Sequence, residues 1–212
     1  MANNVTEDSD YVVGLDIGTS KVVCIIGKYV DQHSLEVVSM GSYPSSGLKK
    51  GVVVNIDATT DAIQKSIDQA QASFEGKIKN VYVGIAGNHI RSLNSHGIVG
   101  IKDKDVEASD IDRVIEAAQA VAIPSDQRVL HVLPQEYVID NQDSIREPLG
   151  MSGVRLESHV HLVTCANNAI QNIEKCVKRC GIGVDGFVLE QLASSYSVLS
   201  EDEKELGVCL VD

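Results

Sequence analysis

Tyr11-Val12-Val13-Gly14-Leu15-Asp16-Ile17-Gly18-Thr19-Ser20-Lys21-Val22-Val23-Cys24-Ile25-Ile26-Gly27 sets two apolar, β-branched runs on either side of one compact polar bend. The runs read as neighbouring strands. The bend, Asp16 to Lys21, gathers a carboxylate, a glycine, two hydroxyls and an ammonium. That chemistry suits a metal-bound polyphosphate. Glycine permits close backbone approach and positive φ. Backbone N–H groups and the Thr19 and Ser20 hydroxyls donate to phosphate oxygens. Lys21 adds positive charge, and Asp16 holds Mg²⁺ directly or through its waters. An ordinary turn also uses Gly, Thr and Ser. Asp16 argues for more, because a charge at the end of an apolar strand is costly without a partner.

Working outward, a polar loop from Val30 to Ser34 leads to a third strand over about Leu35–Ser42, completing a meander. A short strand follows at Val52–Val54. Asp57 is the expected N-cap of a helix carrying Ile63, Ile67 and Ala70 on one face through about Phe74. Asn80–Ala86 reads as the next strand. From Gly87 the rhythm changes: a strand-like Arg91–Ile101, a helix opened by Ser109-Asp110-Ile111-Asp112, a strand Arg128–Asp140 interrupted by Pro134, a polar loop, and a strand Val154–Cys165. This reads as a small α/β module inserted into a larger one. Asn168–Cys180 is then a helix stopped by Gly181. Asp185–Leu189 is a strand, Glu190 to Leu199 a helix, and Gly207–Asp212 a buried strand ending on a carboxylate as the first strand does. Met1–Asp10 reads as a disordered tail.

Composition narrows the function. The chain has 212 residues, 43% of them hydrophobic, enough for one or two cored domains. Its formal charge of -12 argues against nucleic acid, which needs a basic stripe. A nucleotide site here must gain positive potential locally, from Lys21, backbone dipoles and a metal. The five cysteines, Cys24, Cys165, Cys176, Cys180 and Cys209, are odd in number and sit mostly in apolar runs, as reduced core residues do. A polar, acidic start and the lack of a bilayer-length apolar run give the expectation of a soluble cytoplasmic chain. Gly181-Ile182-Gly183-Val184-Asp185-Gly186 fits G-x-G-x-x-G by letter but stands after a helix and before a strand, the reverse of the dinucleotide order, so it reads as a helix stop and tight turn. His159, His161 and His131 read as surface or hydrogen-bonded histidines rather than zinc ligands. Glu190 reads as a favourable charge at a helix N-terminus or as a group orienting the water that attacks a γ-phosphate.

The order strand–bend–strand–strand–helix–strand, with an acidic phosphate bend in the first hairpin, resembles the actin-like ATPase superfamily. Within it, Arg128-Val129-Leu130-His131-Val132-Leu133-Pro134-Gln135-Glu136-Tyr137, Gly150-Met151-Ser152-Gly153-Val154-Arg155 and Leu192-Ala193-Ser194-Ser195-Tyr196-Ser197-Val198-Leu199 are similar to stretches characteristic of the FtsA family of bacterial cell-division proteins, its N-terminal portion. The resemblance implies an α/β fold with an actin-like (ribonuclease H-like) nucleotide-binding core and an inserted small α/β subdomain. Residues 11–86 and 161–199 would form the core, 87–160 the insert, and 200–212 the start of a truncated second lobe. It also implies ATP and Mg²⁺ as ligands. Asp16, Gly18, Thr19, Ser20, Lys21 and Asp212 would contact the cofactor, Asp16 and Asp212 being on the metal side. Glu190 would position water, with weak or no ATPase activity.

By the same resemblance the partners are FtsZ, other copies of the protein, and FtsN and other division proteins through residues 87–160. The membrane is reached only through a C-terminal helix, at the cytoplasmic face of the inner membrane in the division septum and Z ring. The glycines of a second phosphate motif, the adenosine motif, the FtsZ-binding subdomain and that helix are not in this sequence, so weak or no ATP binding and no membrane binding are expected of it alone. A sugar kinase of the same superfamily and a pilus assembly scaffold of the PilM type are the alternatives. The insert offers no sugar-binding set with a catalytic aspartate, and the Arg128–Tyr137 and Leu192–Leu199 stretches favour FtsA over PilM.

Overall fold

The computed structural model describes residues 11–31 and 34–211. The expected tail Met1–Asp10, and Asp212, lie outside the described residues. The chain forms two compact units, one from the segments up to Asn88 and from Asn168 onward, the other from His89–Asn167.

The first unit is built on a five-stranded sheet. β1 (Tyr11–Ile17) and β2 (Lys21–Tyr29) pair antiparallel with Asp16 opposite Val23, and β2 pairs with β3 (Leu35–Pro44). A two-stranded hairpin, β4 (Leu48–Lys49) with β5 (Val52–Val53), leads into α1 (Ile56–Ala72). The α1 N-cap is Asn55 rather than Asp57. The Asn55 side-chain oxygen accepts the Ala58 N–H at 3.0 Å. Asp57 instead sits in the first turn and takes the Arg179 guanidinium at 2.6 Å. β6 (Asn80–Ile85) joins β1 in parallel.

α1 lies tightly on β3. A Cβ on Gly41 would stand 1.9 Å from the Ser66 carbonyl oxygen, and the Ser39 hydroxyl donates to the Ala70 carbonyl at 2.6 Å. Ile63, Ile67 and Ala70 are buried, as their helical spacing predicts, alongside Leu15, Cys24, Ile26 and Val83 from the sheet.

The second unit opens with β7 (Ile90–Gly100) and α2 (Ala108–Gln119), continues with β8 (Gln127–Ile139) and β9 (Gln142–Ile145), and closes with β10 (Arg155–Ala166). Its sheet order is β7-β10-β8-β9. β9 falls where the sequence reads as a polar loop. Its four residues QDSI carry a single apolar side chain, too few for a period to show. Pro134 stands in β8 opposite Val160, at a register shift and short of the stretch where β9 pairs. Among the described residues no strand flanks β8 on its outer side there, an edge position of the kind where sheets accept proline. β10 alternates from Arg155 to Leu162 and is buried on both faces from there to Cys165. Leu156, Ser158, Val160 and Leu162 are buried on the helix side, whereas Glu157, His159 and His161 are only half-buried. His159 meets the Glu136 carboxylate at 2.9 Å and His161 meets Asn94 at 2.6 Å. The described residues contain no cluster of three metal-ligating side chains.

α2 is fastened by Asp110, whose carboxylate is 1% exposed, accepts the Glu107 N–H at 3.1 Å and pairs with Arg113. The Glu107 N–H and the Arg113 cation hold this carboxyl below the usual carboxylate range, against the opposing effect of burial. A carboxyl depressed in the folded state stabilises it above the unfolded value. That contribution disappears as pH falls through the folded value. Asp110→Asn is therefore expected to lower the thermal unfolding midpoint at neutral pH and to flatten its decline below about pH 4, as melts across that range would read. Steeper acid sensitivity in the variant would refute the assignment.

The chain returns to the first unit through α3 (Asn167–Arg179), β11 (Gly183–Leu189), α4 (Glu190–Val198) and α5 (Glu201–Leu206). Gly181 stops α3 at φ 74°, the left-handed geometry that glycine adopts without strain. α3 packs on α1, with the Cys176 thiol donating to the Ile56 carbonyl and Cys180 to that of Thr60. β11 pairs with β6 in parallel, giving the order β11-β6-β1-β2-β3. Over Gly207–Val211, the described part of it, the expected buried strand Gly207–Asp212 does not form. Gly207–Val211 carry no regular structure and are exposed, Cys209 among them. Their backbone finds no strand neighbour among the described residues, so an apolar run with strand propensity has no ladder to join.

Candidate functional site

β1, β6 and β11 run parallel, so their carboxyl ends share one edge of the sheet. Ligands of open α/β sheets gather outside that edge. Asp16 is the last residue but one of β1, and Glu190 directly follows β11 as the first residue of α4. Both line one cavity of about 400 Å³, together with Gly14, Tyr82, Gly84 and Ser194. Two carboxylates more than 170 positions apart in sequence are thus brought to one place by strand order alone.

Gly84 is a site residue that the sequence reading missed. A Cβ there would come within 3.1 Å of Glu190 Cγ and 3.5 Å of Oε1, so the Glu190 side chain lies against the glycine's bare face. The available signal was a glycine inside an otherwise apolar strand, which marks a close approach. Leu189 caps α4 without a side-chain hydrogen bond, so the carboxylate of Glu190 is the acidic group at that helix start.

The bend itself is held from behind. The Ser20 carbonyl accepts the Ser45 N–H at 3.0 Å, tying the bend to the chain leaving β3. Thr19, Ser20 and Lys21 are exposed. Gly18 does not take the positive φ expected of it. Its requirement is for space, because an added Cβ would stand 3.0 Å from the Lys21 carbonyl. Residues Gly18 to Lys21 lie outside the lining of the cavity that holds Asp16 and Glu190, and Asp212 lies outside the described residues. An exposed row of hydroxyls, an ammonium and backbone N–H groups beside a carboxylate is a donor set that fits a metal-bound triphosphate.

A parallel core edged by an antiparallel meander, an acidic bend in the first hairpin, and an α/β unit inserted between β6 and α3 define an actin-like α/β protein. Residues 87–164 match the SHS2 domain inserted in FtsA. Over 201 residues the chain is 68% identical to the cell division protein FtsA of Pseudomonas aeruginosa, covering 95% of this chain and 48% of that protein. It is 52% identical to FtsA of Neisseria meningitidis, covering 95% of this chain and 49% of that protein. It is 44% identical to FtsA of Escherichia coli K12, covering 97% of this chain and 49% of that protein. The chain is a homologue of the bacterial cell-division protein FtsA, and it spans about half the length of the curated relatives it matches. Among solved structures, a PilM–PilN type IV pilus biogenesis complex superposes with TM-score 0.58 at 14% identity, covering 87% of this chain and 49% of that chain, a likeness of fold alone. No helix among the described residues is long and apolar enough to cross a membrane.

Proposed function

We propose that the chain is part of an ATP-binding, actin-like scaffold of the division septum. The observation that carries this reading is the meeting of Asp16 and Glu190 in one cavity at the carboxyl edge of the parallel strands, beside the exposed bend. In this reading residues 11–88 and 168–199, all within the first unit, form the nucleotide-binding subdomain and 200–212 open a second lobe. Gly18, Thr19, Ser20 and Lys21 hold the phosphates, and Asp16, together with Asp212, holds Mg²⁺ through its waters. The bound Mg²⁺·ATP supplies the phosphoanhydride and the charge-neutralising metal. Residues 87–160 contact other copies of the protein and division partners such as FtsN. FtsZ and the inner-membrane surface are engaged by parts of the relatives outside the matched region. Nucleotide acts mainly by shifting the population of conformations.

The role of Glu190 is to accept a proton-side hydrogen bond from a water and orient it. That needs the carboxylate to stay on the bare face of Gly84. In a chimaera where this sequence replaces the matched half of the P. aeruginosa protein, Glu190→Gln and Gly84→Ala are each expected to lower phosphate release about tenfold or more while leaving the Kd for ATP within about threefold. Unchanged turnover in both variants would remove Glu190 from the mechanism. Lost ATP affinity would make it a binding residue instead.

A further inference from the structure

The geometry points to β7 as a docking edge: an extended, net-basic peptide adds to it as a further antiparallel strand of the second unit. This rests on the reading of that unit as the partner-contacting part of the molecule, and specifies how it makes contact.

β7 is an outer strand of its sheet, eleven residues long. It pairs with β10 from Ile90 to Gly100 with no register shift. Among the described residues its backbone is bonded along the β10 side only, apart from the Gly100 carbonyl, which takes the Arg113 guanidinium at 2.7 Å. Edges are ordinarily protected by brevity, bulges, proline or lysine. The other edge of the same sheet, β9, has four residues, and the edges of the first unit, β3 and β11, each carry a register shift. β7 has none of these defences. Its sequence IRSLNSHGIVG contains no proline, no lysine and one full charge, Arg91 at its start. Asn94, His96 and Ile98 stand exposed along its open row, Ile98 by 49%. A strand left unguarded over eleven residues offers the row of donors and acceptors that strand addition uses.

Charge selects the occupant. His89–Asn167 contains 12 Asp and Glu against 7 Lys and Arg. The helix packed on the face of β7, α2, turns Asp112 and Glu116 to solvent. A basic strand is favoured there and an acidic one repelled. A second copy of this chain fits poorly. α2 lies directly on β7, where a Cβ on Gly97 would stand 2.2 Å from the Val114 carbonyl oxygen. Two β7 strands paired about 4.8 Å apart would press two α2 helices closer than the 8–10 Å or so that helices keep. A lone extended peptide brings no helix.

The test uses the whole chain and two synthetic peptides of about ten residues, in which Val and Thr alternate with Lys in one and with Glu in the other. Hydrogen exchange is followed amide by amide. The Lys peptide is expected to slow alternate β7 amides about tenfold or more. The Glu peptide, and the Lys peptide N-methylated along one edge, should leave them unchanged. Ile98→Lys should weaken Lys-peptide binding about tenfold with the thermal midpoint unchanged, because the side chain replaced is exposed. Equal binding of both peptides overturns the proposal, as does β7 protection that grows with protein concentration in the absence of peptide. Protection by the Lys peptide only at β8, β9 or α2 overturns the edge while leaving the unit a partner-contacting one. No protection anywhere in the unit overturns both.

Discussion

Gly41→Ala unfolds the first unit or leaves it at least about 3 kcal/mol less stable. The position admits no side chain, because an added Cβ would stand 1.9 Å from the Ser66 carbonyl oxygen, 2.6 Å from the Ala70 nitrogen and 2.9 Å from Gln69 Cβ. Two of these are backbone atoms in the C-terminal half of α1. Relief requires lifting the helix off the strand, which would open the contact between Ile63, Ile67, Ala70 and the sheet and stretch the 2.6 Å bond from Ser39 to the Ala70 carbonyl. Gly14→Ala is the matched control, since nothing lies within 4 Å of the Cβ it would add. Denaturant titration of the two variants is expected to separate them by most of that amount. Equal stabilities would mean that α1 does not rest on β3 as described.

The second large effect concerns the metal. Asp16→Ala, in the chimaera with the P. aeruginosa half, is expected to weaken binding of Mg²⁺·ATP about a hundredfold and to leave binding of metal-free ATP nearly unchanged. In the proposed site the carboxylate near the end of β1 acts through a cation and would otherwise only repel the triphosphate. A titration with and without Mg²⁺ reads both limbs. Removing an acidic group beside an anion without a metal should, if anything, tighten binding. Equal loss in both limbs would point to disturbed folding, and no loss with Mg²⁺ would take Asp16 out of the site.

The local chemistry of the molecule was largely legible in its sequence. The Tyr11–Gly27 hairpin, the amphipathic α1 and α3, the Gly181 stop and the alternating β10 each follow from a period or a turn residue that acts within a few positions. What failed to show depends on partners distant in the chain. Gly84 matters only because β11 lies beside β6 and delivers Glu190 against it. β9 exists because Tyr137 and Ile139 are there to pair with it. The final run Gly207–Val211 has strand chemistry and no strand partner among the described residues, and so remains irregular. Asn and Asp cap equally well, and the extended backbone at Asn55, φ -144°, makes it the cap and leaves Asp57 inside the first turn, where it meets Arg179. Asp16 and Glu190 were each readable as candidates, whereas their meeting in one cavity required the strand order β11-β6-β1.

Calorimetric titration of Mg²⁺·ATP into the chimaera, intact and with Thr19, Ser20 and Lys21 all changed to alanine, tests most directly the proposal that the bend holds phosphate. Loss of the two hydroxyl donors and the ammonium is expected to raise the Kd about a hundredfold or more, with the fold unchanged by far-ultraviolet circular dichroism. An unaltered Kd in the folded triple variant would show that ATP is held elsewhere.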